Sequence, residues 1–133
     1  MTESPQPNSG PGFASHPGYK FIFSPSLKRI SVFSGGVCIA RSANAVVLNE
    51  NTYPPVYYLP RADVQMDLMA QTDHGTYCPF KGHATYWKLA ADDRRSEGVA
   101  WSYETPYDES LALKGHIAFY PDRVDEILIE DLS

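Results

Sequence analysis

A lysine and a histidine two positions apart, Lys81 and His83, are the first pair in this sequence suited to acid–base or anion chemistry. They stand in the run Thr76-Tyr77-Cys78-Pro79-Phe80-Lys81-Gly82-His83-Ala84-Thr85-Tyr86-Trp87. Read as one extended strand over residues 77–89, the run puts Cys78, Phe80, Gly82, Ala84 and Tyr86 on one side. Pro79, Lys81, His83, Thr85 and Trp87 fall on the other. Phe80, Ala84 and Tyr86 are then expected in the core, with Lys81 and His83 together on the opposite face. A neighbouring cation lowers a histidine pKa, and such a pair can hold an anion or transfer a proton. A solvated outer face is the plainer alternative.

A second group combines acids and phenols. Glu50, Tyr57, Tyr58, Arg61 and Asp63 lie within fourteen residues of one another, on and after a Tyr-Tyr stretch bounded by prolines. Tyr57 and Tyr58 point to opposite sides of a strand, so at most one of them is core. Trp101 and Tyr103, two apart, share a face and suit either a core or a stacking wall for a planar ligand. The expected site therefore uses Lys81, Tyr57 and Glu50 as catalytic groups and Asp63, Trp101, Tyr103 and His83 as ligand contacts.

Other chemistries find less support. A reactive thiolate needs a His, a Lys or a helix N-terminus to depress its pKa. Cys78 precedes a proline with Lys81 expected on the other face, so a buried, inert thiol is the plainer reading. Cys38 is expected to be structural, and both cysteines to be free thiols. The chain has no C-x-x-C, and His16, His74, His83 and His116 form no H-x-x-x-H, so no metal site and no cofactor are expected. It also lacks a G-x-x-x-x-G-K loop, a G-x-G-x-x-G turn, a G-x-S-x-G elbow and a D-x-D pair for Mg²⁺.

These side chains must be positioned by a small fold. A chain of 133 residues fits one domain. Its net charge of −5 and pI near 5.2 argue against a nucleic-acid binder, which would carry a basic stripe. No apolar run is long enough to span a membrane. The start has neither a basic nor an apolar leader, and a cytoplasmic location is expected. Residues 1–18, rich in Pro, Gly and Ser, read as a disordered arm, leaving residues 19–133 as the domain.

Strands dominate after the arm. Ile30-Ser31-Val32-Phe33 and Val37-Cys38-Ile39-Ala40 flank Gly35-Gly36, a pair able to supply the positive φ of a tight hairpin. Residues 45–48 form another β-branched run, and residues 56–59, closed by prolines at both ends, read as an edge strand. Residues 62–69 fit either strand or helical turn. Residues 99–103 are a further strand. The best helix candidate is 106–114, with Pro106 at its start, acids in its first turn, Lys114 at its end and Gly115 to stop it. Residues 117–120 and 127–129 are expected to close the fold as a hairpin across Pro121-Asp122-Arg123. The expectation is a mainly β, two-sheet sandwich with one short helix.

The sequence resembles the family catalogued as domain of unknown function 427, sometimes given a nucleotidyltransferase-like label. Ser34-Gly35-Gly36 with Ile39-Ala40-Arg41-Ser42, Val56-Tyr57-Tyr58-Leu59-Pro60-Arg61-Ala62-Asp63-Val64, the Cys78–Trp87 run, Ala100-Trp101-Ser102-Tyr103 and Gly115-His116-Ile117-Ala118-Phe119-Tyr120 carry the resemblance. It covers roughly residues 30–129. Arg41 stands where an Asp before the Ser is expected. The resemblance implies a β-tent-like fold, similar to methionine-R-sulfoxide reductases and the thalidomide-binding domain of cereblon. Those relatives hold zinc on paired C-x-x-C motifs; this chain lacks them, so the same architecture without metal is implied. It also implies that Tyr57, Lys81, Trp101 and Tyr103 face a cleft between sheets.

The leading functional expectation is a small-molecule-binding domain, with or without enzymatic activity, whose aromatic cleft offers a positive lysine. One alternative is a protein-interaction module using edge strands such as 56–59; another is a thiol enzyme using Cys78. A small-molecule ligand is expected, and neither nucleic acid nor membrane. The oligomeric state is open, a homodimer included.

Overall fold

The computed structural model describes residues 8–50, 52–91 and 98–132. The Gly35-Gly36 expectation is met in detail. Both residues have positive φ, 61° and 77°, and they join β2 (Lys28–Ser34) to β3 (Val37–Ser42). With φ positive at both central positions, the turn twists the way its flanking strands do. The strand β10 (Glu126–Asp131) pairs antiparallel with the other edge of β2, completing a three-stranded sheet.

The second sheet has seven strands in the order β1 (Phe21–Pro25), β4 (Val46–Glu50), β5 (Val56–Pro60), β9 (His116–Phe119), β8 (Ala100–Ser102), β7 (Gly82–Leu89) and β6 (Met69–Cys78). The chain is therefore the mainly β, two-sheet sandwich that its composition implied. Among the described residues its helical content is small: α1 (Gly12–Ser15), two single 3₁₀ turns at Arg61–Asp63 and Met66–Leu68, and a kinked 3₁₀ segment at Asp108–Leu113. That last segment occupies the expected helix, and Gly115 follows it at φ 74°. Non-helical angles at Ser110 divide it.

Three local expectations are corrected. The strand β5 is not an edge: it lies between β4 and β9. Its flanking prolines mark its ends, where no ladder N–H is needed. Residues 117–120 and 127–129 do not form a hairpin, because the turn after β9 carries the chain across to the other sheet, where β10 meets β2. Residues 77–89 are not one strand either. β6 and β7 form a hairpin with Cys78 opposite Gly82, and Pro79, Phe80 and Lys81 make its turn. Gly82, at φ 121°, restarts the ladder.

That turn receives the N-terminal segment. The Gly12 N–H donates to the Pro79 carbonyl at 2.9 Å, and Tyr19 stacks on Phe80 with centroids 3.9 Å apart. A Cβ at Gly10 would come within 2.7 Å of the Pro79 carbonyl oxygen, so glycine is what allows the approach. Asp108 and Glu109 hold the preceding residues through the Asn8 and Gly10 N–H groups. Phe80 thus packs against Phe13 and Tyr19 instead of joining Ala84 and Tyr86 in the core. Residues 8–18 of the expected arm make these contacts, and residues 1–7 lie outside the described residues.

Alternation along the large sheet separates two clusters. Leu59, Ala100, Ile117 and Phe119 join Ile30, Val32 and Ile39 of the small sheet in an aliphatic core between the sheets. Tyr58, Ala84, Tyr86, Tyr103 and Ala118 point the other way, with Trp101 and Tyr120 packed against them.

Candidate functional site

The tyrosine-bearing face forms a cleft of about 590 Å³, within the usual range for ligand sites of roughly 300–1,000 Å³. Glu50, Tyr58, Lys81, Tyr86, Trp101, Tyr103 and Tyr120 are among its lining residues. A larger groove of about 680 Å³ runs along His16, Tyr19, Phe21 and Asn49, but no buried ionisable group faces it.

Backbone geometry brings the cleft's two charges together. Glu50 ends β4, where it sits opposite Phe21 of β1. Lys81 leaves the β6–β7 turn, pinned on both sides of its peptide: its N–H donates to the Cys78 carbonyl and its carbonyl accepts from the Tyr107 N–H at 2.9 Å. Lys81 Nζ donates to Glu50 Oε1 at 2.7 Å and lies 5.6 Å from the Phe21 ring centroid. Lys81 is only 7% exposed. Among the described residues Glu50 is the only hydrogen-bond partner of the ammonium group, so two of its three N–H donors are uncommitted. The second Glu50 carboxylate oxygen likewise has no hydrogen-bond partner among the described residues.

The aromatic wall is fixed by packing. The Trp101 Nε1–H donates to the Tyr58 hydroxyl at 3.2 Å, and the indole lies 4.4 Å from the Tyr120 ring. The Tyr86 hydroxyl is 2.9 Å from Thr76 Oγ1. Tyr103 is 8% exposed and its hydroxyl has no hydrogen-bond partner among the described residues. Burial pushes the Tyr58, Tyr103 and Tyr120 phenols well above their ordinary value. These three therefore stay protonated near neutrality and act as neutral donors and acceptors.

A second ion pair lies elsewhere on the sheet. Arg61 grips Glu104 with both terminal nitrogens, at 3.0 and 2.8 Å. The Ser102 hydroxyl donates to Glu104 while accepting from the Trp87 indole, and the guanidinium lies over the Trp87 ring. Burial alone would raise the Glu104 carboxyl, but the Ser102 and Arg61 hydrogen bonds and the Arg61 charge outweigh it and hold it below its usual range.

Of the side chains expected at the site, Lys81, Glu50, Trp101 and Tyr103 meet in the cleft. Three do not. Tyr57 turns inward to pack on the aliphatic core. Asp63 accepts from the Ser42 hydroxyl at 2.6 Å, in a depression beside Arg41. His83 is exposed against Tyr77, with ring centroids 4.7 Å apart, and does not share a face with Lys81. Tyr86 and Tyr120 were not anticipated in the cleft; alternation placed Tyr86 in a core, and its hydroxyl was the clue that this face meets water. Cys38 and Cys78 are free thiols, each half-buried. Among the described residues, no three His, Cys, Asp or Glu side chains stand close enough to hold a metal ion. No described helix is long and apolar enough to cross a membrane.

The family model described as a domain of unknown function (DUF427) matches residues 22–130. The chain belongs to that family. No curated protein matches it. The match includes every charged residue of the cleft and begins after Tyr19, which lines the cleft from outside the matched region.

Proposed function

We propose that this DUF427 member is a small-molecule-binding protein whose cleft takes a planar ligand bearing a carbonyl or anionic group. The observation that carries the reading is the Lys81–Glu50 pair, buried where it lines an open aromatic cleft. A buried ion pair is a poor way to gain stability, because desolvating two charges offsets most of their attraction. Here the pair also presents spare donors beside a spare acceptor. Lys81 meets the carbonyl or anionic oxygen, Glu50 accepts from an adjacent donor, the touching Trp101 and Tyr120 rings form one wall beside the ring plane, and the Tyr103 hydroxyl supplies a further contact. An enzymatic form of the same site would move a proton between the ligand and Lys81 or Glu50, the phenols being held neutral. Two free thiols support a reducing compartment such as the cytoplasm.

A panel of planar amides and carboxylates, screened by ligand-observed NMR and thermal shift, tests this. Binding should fall at least tenfold in Lys81→Met and shift in Tyr103→Phe, with both variants folded by circular dichroism. Equal binding to wild type and Lys81→Met would remove the reading. With β5 inside the sheet, an interaction module built on that strand loses its edge.

A further inference from the structure

The large sheet is held together at its centre by very little. β5 and β9 pair only through Leu59–Ile117 and Pro60–His116. Toward Pro55 and Pro121 the ladder stops, while β5 stays paired with β4 through Tyr58, Tyr57 and Val56. On the other side, the Tyr120 N–H bonds to Val99 instead of to β5. The sheet is thus unzipped at this point, and the Trp101 side chain stands beside the opening, tied to Tyr58 of β5.

A second cavity of about 240 Å³ lies on the inter-sheet side of that opening. Its inner walls are apolar, with Ile30 and Val32 from β2, Ile127 and Ile129 from β10, and Phe119 from β9. Four residues, Pro55, Val56, Trp101 and Pro121, line both this cavity and the tyrosine cleft. Pro55, Val56 and Pro121 lie where the β5–β9 ladder is missing, and Trp101 of β8 stands beside that stretch. The cavities therefore adjoin through the unzipped part of the sheet, one lined by phenols and an ion pair, the other mostly by apolar side chains with Tyr57 among them.

We propose that the two cavities form one bipartite site for an amphipathic ligand. Its planar polar head sits against Lys81 and Glu50, and a short apolar tail passes Trp101 into the pocket between the sheets. This deepens the reading of the cleft as a ligand site and rests on it. The tail pocket is below the size of a typical whole-ligand cavity, which suits a short alkyl or small aryl extension. Apart from Tyr57 and Trp101 its lining side chains carry no hydrogen-bonding group, so a polar extension along the aliphatic wall would be desolvated there without compensation.

A homologous series of 4-alkylbenzamides, from the parent amide to the octyl compound, separates the two parts by calorimetric titration. The amide presents a carbonyl to Lys81 and an N–H to Glu50, and only the tail changes. Each added methylene should tighten binding about threefold to fourfold until the pocket is full, after which the gain should stop. Ile129→Trp, at a position 45% exposed on β10 and so tolerant of exchange, should abolish the chain-length dependence. Lys81→Met should weaken every member equally. Parent-amide binding that needs Lys81 but gains nothing from the alkyl chain would overturn the bipartite site and leave the cleft reading standing. Chain-length dependence that survives Ile129→Trp would overturn it too. Failure of the whole series to bind would overturn the bipartite site, while the amide and carboxylate panel judges the cleft separately.

Discussion

The two faces of the seven-stranded sheet are built from the same strands and differ in everything else. Toward the small sheet, Leu59, Ala100, Ile117 and Phe119 make an apolar layer. One residue along each strand, Tyr58, Trp101, Ala118 and Tyr120 face a cleft that also holds an ion pair. The first face removes apolar area from water and buries few polar groups, the Trp87 indole among them being satisfied by Ser102, so it carries stability. The second buries phenols and charges that cost desolvation and are only partly matched by hydrogen bonds. A fold with no use for the second face would gain by making it resemble the first.

The sharpest test of this division compares deletions on the two sides. Ile117 is fully buried in the aliphatic layer, so Ile117→Ala should cost about 4 kcal/mol in urea denaturation without altering ligand preference. On the cleft side, Lys81→Met strands the Glu50 carboxylate. It should cost about 2–3 kcal/mol, at or just below the range for breaking a buried pair, since the cleft admits water. The double variant Lys81→Met with Glu50→Leu should recover most of that loss while binding stays absent. A double variant as unstable as the single one would mean that the pair is structural, and the contrast between the faces would fail.

Smaller effects divide the phenols. Tyr58→Phe removes the acceptor of the Trp101 indole and should cost about 1 kcal/mol. Tyr103→Phe removes a hydroxyl without a described partner and should change stability by less than about 0.5 kcal/mol. Equal costs would show that the Tyr103 hydroxyl is held by something other than ligand.

The titration behaviour follows from the same burial. The Tyr58, Tyr103 and Tyr120 phenols have folded-state pKa values raised above the ordinary 10.0. Their neutral forms favour the fold fully below pH 10, and that contribution is lost as pH rises above it. Absorbance at 295 nm should show these three of the nine tyrosines ionising only together with unfolding. Early, reversible ionisation of all nine would contradict their burial. Glu104 runs the other way, and with the smallest effect. Its folded pKa lies below the ordinary 4.5, so its contribution is present above that value and fades as pH falls through the folded pKa. Its side chain is 41% exposed, so solvent screens the pair. Glu104→Gln should flatten the acid limb of the stability curve only slightly.

Much of this architecture is legible from local rules. Gly35-Gly36 specifies its hairpin because few other pairs accept two positive φ values in succession. Alternation at Trp101 and Tyr103 correctly put both on one face. The turn at Lys81 was missed because Ala84 and Tyr86 continue a strand pattern so well that Pro79 and Gly82 read as interruptions within it, although together they are turn residues. Tyr57 and Tyr58 are indistinguishable in isolation. Only the side on which the second sheet packs decides that Tyr57 goes to the aliphatic core and Tyr58 to the cleft.

By itself, the sequence determined a small acidic β domain and the chemical inventory of its central run, because composition and short-range periodicity are local properties. Which strands neighbour one another was decided only by the tertiary structure. The segment after Pro121 is compatible with a hairpin, yet it crosses to the small sheet, because pairing with β2 lets Ile127 pack on the aliphatic core. The run from Thr76 to Trp87 departs furthest from its local pattern. Lys81 and His83, two residues apart, part company at a turn, and Lys81 finds its partner thirty-one residues away in Glu50. Contacts at that separation depend on how β1, β4 and the β6–β7 turn are brought together, and no local pattern records it.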